Sequence, residues 1–186
     1  MKKRFFTAFR MTLCVALIPV GIAWAESVNV TTTTSAAVDR VGSGDRPGLL
    51  LKFELPAELQ KARIDLAYLR FQVETDTTQP PLGLLVRPML APWVSGLRLP
   101  TLSDSLASPF HVNFGRLNLK NGTGKIEITQ AVNAWQSGEL PNLGMLLYPV
   151  EEKRSSFQLK NLPKGGVAEL EIFYTAPEVK LEAKAE

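Results

Sequence analysis

Between Lys125 and Pro149 the spacing of apolar residues changes period twice, and the rest of the chain reads as strands gathered around that stretch. Ile126 and Ile128 alternate with Glu127, the period of a half-buried strand. Ile128, Val132 and Trp135 then recur at four and three residues, which stacks them on one face of a short helix around residues 129–137, with Thr129 placed to cap its first turn. Gly138 supplies a left-handed residue to end it. Pro141, Asn142 and Gly144 then turn the chain into Met145 to Tyr148, an apolar run suited to a buried strand.

Alternation marks the other strands. Val28, Val30 and Thr32 alternate with Asn29 and Thr31 as an N-terminal edge strand, and residues 42–47 form a turn cluster. Leu49, Leu51, Phe53 and Leu55 face one way, Leu50, Lys52 and Glu54 the other, and Pro56 stops that strand. From Arg63 to Glu74, Ile64 and Leu66 lie in one phase and Ala67, Leu69, Phe71 and Val73 in the other, so a bulge is expected near Ala67. Residues 76–81 read as a turn, followed by a strand from Leu82 to Val86. Pro88 to Pro109 is a long irregular segment of the kind that is usually functional or mobile. Phe110, Val112 and Phe114 alternate as a further strand that places His111 on its solvent side, with a second bulge at Gly115. Asn121-Gly122 is a hairpin signal leading into Ile126. A charged turn over residues 151–156 and a short strand at Phe157 and Leu159 precede the last strand, in which Ala168, Leu170, Ile172 and Tyr174 face inward. Strands at this spacing with one helical turn predict an all-β fold, a jelly-roll-like β-sandwich whose core includes Trp135, Val132, Ile128, Phe53 and the turn glycine Gly144.

The N-terminus alters how the charge is read. Lys2, Lys3, Arg4 and Arg10 precede an apolar run from Met11 to Ala23 that closes on Ala23-Trp24-Ala25, so residues 1–25 are expected to be a signal peptide, residues 26–176 one domain, and residues 177–186 a disordered Lys/Glu tail. The run is short for a transmembrane anchor and is interrupted by Pro19 and Gly21. Cleavage removes four of the 21 basic residues and the only cysteine, leaving 17 basic against 18 acidic residues, formally −1. No nucleic-acid surface, no disulfide and no membrane span are then expected, and the product is periplasmic or extracellular. A chain of that size buries roughly 70% of its unfolded surface in one core without staples.

Several strings carry a family resemblance. Leu50-Leu51-Lys52-Phe53-Glu54-Leu55-Pro56, the strand from Ile64 to Val73, Pro92-Trp93, the stretch from Ile128 to Gly138 and Pro141-Asn142-Leu143-Gly144 resemble the bacterial DNRLRE domains. These are similar to carbohydrate-binding domains attached to alginate-degrading enzymes and to the propeptides of TGF-beta-like growth factors. The resemblance covers about residues 47–175, although the name-giving string is missing. It implies a β-sandwich and, through the related modules, carbohydrate as a ligand.

The candidate chemistry is sparse. His111 is the only imidazole, no zinc ligand set is present, and Glu127, Glu169 and Glu171 fall at outward strand positions, so catalysis is not expected. No cofactor is expected. For a structural calcium ion, Asp39, Asp45 and Glu54 are the available oxygen ligands, without a loop of defined spacing. For sugar, Trp93 lies between Arg87 and Arg98, an arrangement that could stack on a pyranose ring and pair with uronate carboxylates. Trp93 could equally pin its loop to the core. The reading is an exported, non-catalytic module for polysaccharide. The alternative is a cell-envelope assembly protein that binds another protein through a sheet edge such as the Thr-rich strand.

Overall fold

Strands dominate the part of the chain that the structure, a computed structural model, describes: residues 25–44, 46–74, 83–96, 98–118, 120–150 and 158–177. The expected signal peptide as far as residue 24, residues 45, 75–82, 97, 119 and 151–157, which include the turns expected over 76–81 and 151–156, and the expected tail from residue 178 lie outside the described residues. In chain order the strands are β1 (Ala25–Thr31), β2 (Thr34–Val38), β3 (Gly48–Lys52), β4 (Arg63–Glu74), β5 (Gly83–Pro88), β6 (Asn113–Asn118), β7 (Thr123–Glu127), β8 (Met145–Pro149), β9 (Gln158–Leu159) and β10 (Ala168–Thr175). One helix, α1 (Thr129–Ser137), joins β7 to β8. They form a single antiparallel sheet in the order β1-β10-β4-β7-β6-β5-β8-β3-β2, with β9 paired to the end of β4.

The sheet curls until its halves face each other. Leu69, Phe71, Leu170 and Ile172 from β4 and β10 share one buried cluster with Leu51, Val86 and Leu147 from β3, β5 and β8. The bend is at β6, which pairs with β5 through residues 113–116 and with β7 only through Leu117 and Asn118. Gly115 stands at the bend because a Cβ there would come within 2.3 Å of Ile126 Cγ1. The fold is therefore all-β and sandwich-like with one short helix, while jelly-roll connectivity is not confirmed by this strand order.

The helix occupies the residues its periodicity marks. Ile128, Val132 and Trp135 are buried with Phe53 in the shared cluster, and Gly138 ends the helix at φ 77°. Thr129, however, does not cap it. The residue before α1 is Ile128, and the Thr129 hydroxyl instead accepts the Ala67 N–H at 3.0 Å and donates to Glu127 Oε1 at 3.2 Å, so it ties the helix to β4. The register shift expected near Ala67 falls at Asp65, between the pairs Ile64–Tyr174 and Leu66–Phe173. Gly144 is buried at φ 92°, and a Cβ there would lie 2.4 Å from the Leu51 carbonyl oxygen, so both conformation and space require glycine.

Two further features concern the outer faces. Leu50, on the side of β3 opposite Leu51, is buried: with Leu146 and Tyr148 it forms a second buried cluster on the outer face of the β8-β3-β2 half, roofed by Val41, Met89, Leu102 and Ala107. The segment after β5 is thus a packed cover, held by the bridges Val38–Leu99, Val41–Leu102 and Met89–Ala107. The phase of Phe110, Val112 and Phe114 is also inverted. Regular pairing begins only at Asn113, and the inner side of β6 at Gly115 is filled by Ile126, so these three apolar side chains are exposed. No helix among the described residues is long and apolar enough to cross a membrane.

Candidate functional site

The three side chains proposed for sugar each have another partner. Trp93 is half-buried against the second cluster, and its indole N–H donates to the Leu143 carbonyl at 2.7 Å, fastening the cover to the turn before β8. Arg87 is buried on β5 and donates to the carbonyls of Ser108 (2.9 Å), Ala107 (2.8 Å) and Asp104 (3.1 Å) as well as to the Asp104 carboxylate. Arg98 is exposed and paired with Asp39. They therefore act at three different places on the cover. That same pair engages Asp39, one of the three calcium candidates; Glu54 is exposed, and Asp45 lies outside the described residues. No group of three metal-ligating residues occurs among the described residues.

His111 is half-buried rather than solvent-facing. Its Nδ1 is 3.1 Å from Ser108 Oγ, which also accepts the Phe110 N–H, and Ser108 is only 2% exposed, so this serine–histidine contact closes a turn. Of the outward carboxylates, Glu171 is held by Arg70 at 3.2 Å and Lys125 at 3.1 Å across the strands. Glu127 is exposed and accepts the Thr129 hydroxyl.

A different group of residues lies along the polar face of α1 and around its C-terminal end. The helix turns Ile128, Val132 and Trp135 inward, and its remaining face carries Gln130, Asn133, Gln136 and Ser137 with no charged residue in the first or last turn. A surface helix ordinarily carries charges on its polar face; this one offers carboxamides and hydroxyls. On one side, Gln130, Asn133, Gln136, Ser137, Glu139 and His111 line an open cleft of about 390 Å³. On the other, Trp135, Gln136 and Asn142 with Leu55, Pro56, Leu59 and Gln60 line a second cleft of about 480 Å³. Gln136 belongs to both and donates through Nε2 to the carbonyls of Leu59 and Ala62, which fastens the helix to the 3-10 turn Ala57–Lys61. Phe110, beside His111 in sequence, is 86% exposed.

Five carboxamides thus lie on or beside one short helix, and none of them was a candidate binding residue from the sequence. The signal was present in the spacing of Gln130, Asn133 and Gln136 around the polar face of an otherwise apolar helix, but Gln60 and Asn142 come to it only through folding. Comparison of the chain with protein-family models and with curated proteins finds no match.

Proposed function

We propose that the protein is an exported, non-catalytic module that binds a neutral polysaccharide across the two clefts beside α1. The observation that carries this reading is the lining itself, five carboxamides and one imidazole with Glu139 as its one carboxylate, beside a helix that carries no charged residue. A carboxamide offers two donors and an acceptor on one rigid plane, which matches the paired donor and acceptor character of sugar hydroxyls. The Phe110 ring, next in sequence to the cleft residue His111, is exposed and so free to stack on a pyranose face. A neutral ligand is favoured over a uronate because Arg87 and Arg98 are already engaged with Asp104 and Asp39. The resemblance to DNRLRE domains supports carbohydrate as the ligand class.

Affinity electrophoresis through gels containing glucan, xylan, mannan, alginate or polygalacturonate tests this. The expected result is retardation by at least one neutral polysaccharide and its loss in the Gln130→Ala/Asn133→Ala protein, whose substitutions sit on the outer helix face and leave the core intact. Unhindered migration in every neutral gel, or a double variant retarded as strongly as the parent, refutes the reading.

A second reading, an envelope assembly protein, has its own support. β1 forms one end of the sheet and pairs only with β10 among the described residues, and Phe110, Val112 and Phe114 add exposed apolar surface. Recovery of a stoichiometric protein partner together with failure in all the gels would favour it.

A further inference from the structure

Trp135 fills the core with its ring and is 6% exposed, yet its indole N–H has no hydrogen-bond partner among the described residues. Asn142 is in the same condition at one end of its amide: Nδ2 donates to the Phe53 carbonyl at 2.9 Å, while Oδ1 is buried and unpartnered. Both side chains line the second cleft together with Leu55, Pro56, Leu59, Gln60 and Gln136. Buried polar groups are almost always paired, so an orphan donor and an orphan acceptor lining one cleft call for a common partner. A single hydroxyl is that partner, since it accepts one hydrogen bond while donating another. A carboxylate would satisfy the indole but not Asn142 Oδ1, and an ammonium would do the reverse. No charged side chain lines the cleft to favour either.

We infer that the floor of this cleft is a hydroxyl-reading subsite, in which one sugar hydroxyl accepts the Trp135 Nε1–H and donates to Asn142 Oδ1. The inference rests on the polysaccharide reading above and places one specific contact within it. Both atoms are closed to solvent in the unliganded protein, so the hydroxyl enters as a rim side chain swings aside. Gln60 is the candidate, because it is exposed and lines the same cleft. The geometry also separates the two indoles. That of Trp93 is satisfied by a carbonyl within the protein, and that of Trp135 is left for a ligand.

The test is a ¹H–¹⁵N titration of the full chain with cellohexaose, xylohexaose and mannohexaose. Its three tryptophans are Trp24, Trp93 and Trp135, assigned by elimination through Trp93→Phe and Trp24→Phe so that the core residue stays unaltered. The expected result is a downfield shift and slowed solvent exchange of the Trp135 indole proton on binding, with that of Trp93 unmoved. Trp135→Phe, which deletes the donor and keeps an aromatic ring, is expected to bind about tenfold more weakly. Perturbation of the Gln130 and Asn133 side-chain amides with an unmoved Trp135 overturns this inference and leaves the polysaccharide reading standing. No perturbation by any oligosaccharide overturns both. A water cross-peak to the Trp135 indole that survives saturating oligosaccharide assigns the pair to bound water and also overturns the inference.

Discussion

Arg87 shows how a residue's neighbours, and not its type, decide its role. Six residues before Trp93 in sequence, it suggests a carboxylate partner. In the fold it is 9% exposed, and its guanidinium supplies donors to three carbonyls of the segment that covers the outer face. The Asp104 carbonyl also accepts the Ala107 N–H within a 3-10 turn, so it is the carbonyls of Ala107 and Ser108 that depend most on this donor. Arg87→Met keeps the apolar stem but removes the donor from the carbonyls of Ala107 and Ser108, and is expected to lower stability by about 2–3 kcal/mol, read from the midpoint of urea unfolding. Arg98→Met, which removes an exposed pair with Asp39, is expected to change it by less than about 0.5 kcal/mol. Equal effects of the two would refute the assignment of Arg87 as the clamp. Trp135 was legible from sequence because its partners Val132 and Ile128 lie within two helical turns, whereas the partners of Arg87 are 17 to 21 residues away.

Among the elements, α1 was readable to its ends, and β6 was read in the wrong phase. Alternation gives the period of a strand, but which set of side chains faces inward depends on what stands opposite, and Ile126 occupies the space behind Gly115. β1 was legible as an edge from its polar, β-branched composition. Its attachment to β10 includes a side-chain bond that the alternation does not show, from the Tyr174 hydroxyl to Glu26 Oε2 at 2.8 Å. This bond raises the Tyr174 phenol above its ordinary 10.0, with burial adding to the shift. A group whose folded pKa is raised contributes its stability in full below the ordinary value and loses it as pH climbs through the folded one. The tie between β1 and β10 therefore weakens only above pH 10.0. Glu26→Ala is expected to bring the Tyr174 titration down towards 10.0, measured as tyrosinate absorbance in an alkaline titration. Superimposable curves for the two proteins would show that the carboxylate has no part in holding this edge.

At the scale of the whole molecule, the all-β class was legible and the second core was not. Burial of Leu50 and Leu146 on the outer face depends on the segment after β5 folding back over them, and no local period records that. A further global feature comes from β1 and β2, which are consecutive in the chain yet stand at opposite ends of the sheet order. The crossing takes two residues. Thr33 N–H bonds to the Lys52 carbonyl on β3, while Thr32 bonds to the start of β10: its N–H reaches the Ala168 carbonyl, and its Oγ1 accepts from Ala168 N at 2.8 Å and Val167 N at 3.2 Å. Thr32 is thus a joint between the two facing halves, at the point where the curled sheet would otherwise gape. Thr32→Val preserves shape and leaves the fully buried Ala168 N–H without an acceptor, at a cost of about 1–3 kcal/mol. Because the lost bonds fix one edge, the damage is expected to be local. In native-state hydrogen exchange, amides of β1 and the first half of β10 should lose protection while those pairing β3 with β8 keep it, and Thr32→Ser, which retains the hydroxyl, should restore most of the difference. A uniform fall in protection across both halves would mean that the sheet opens only as a unit and that Thr32 is one hydrogen-bonding residue among many, not the joint.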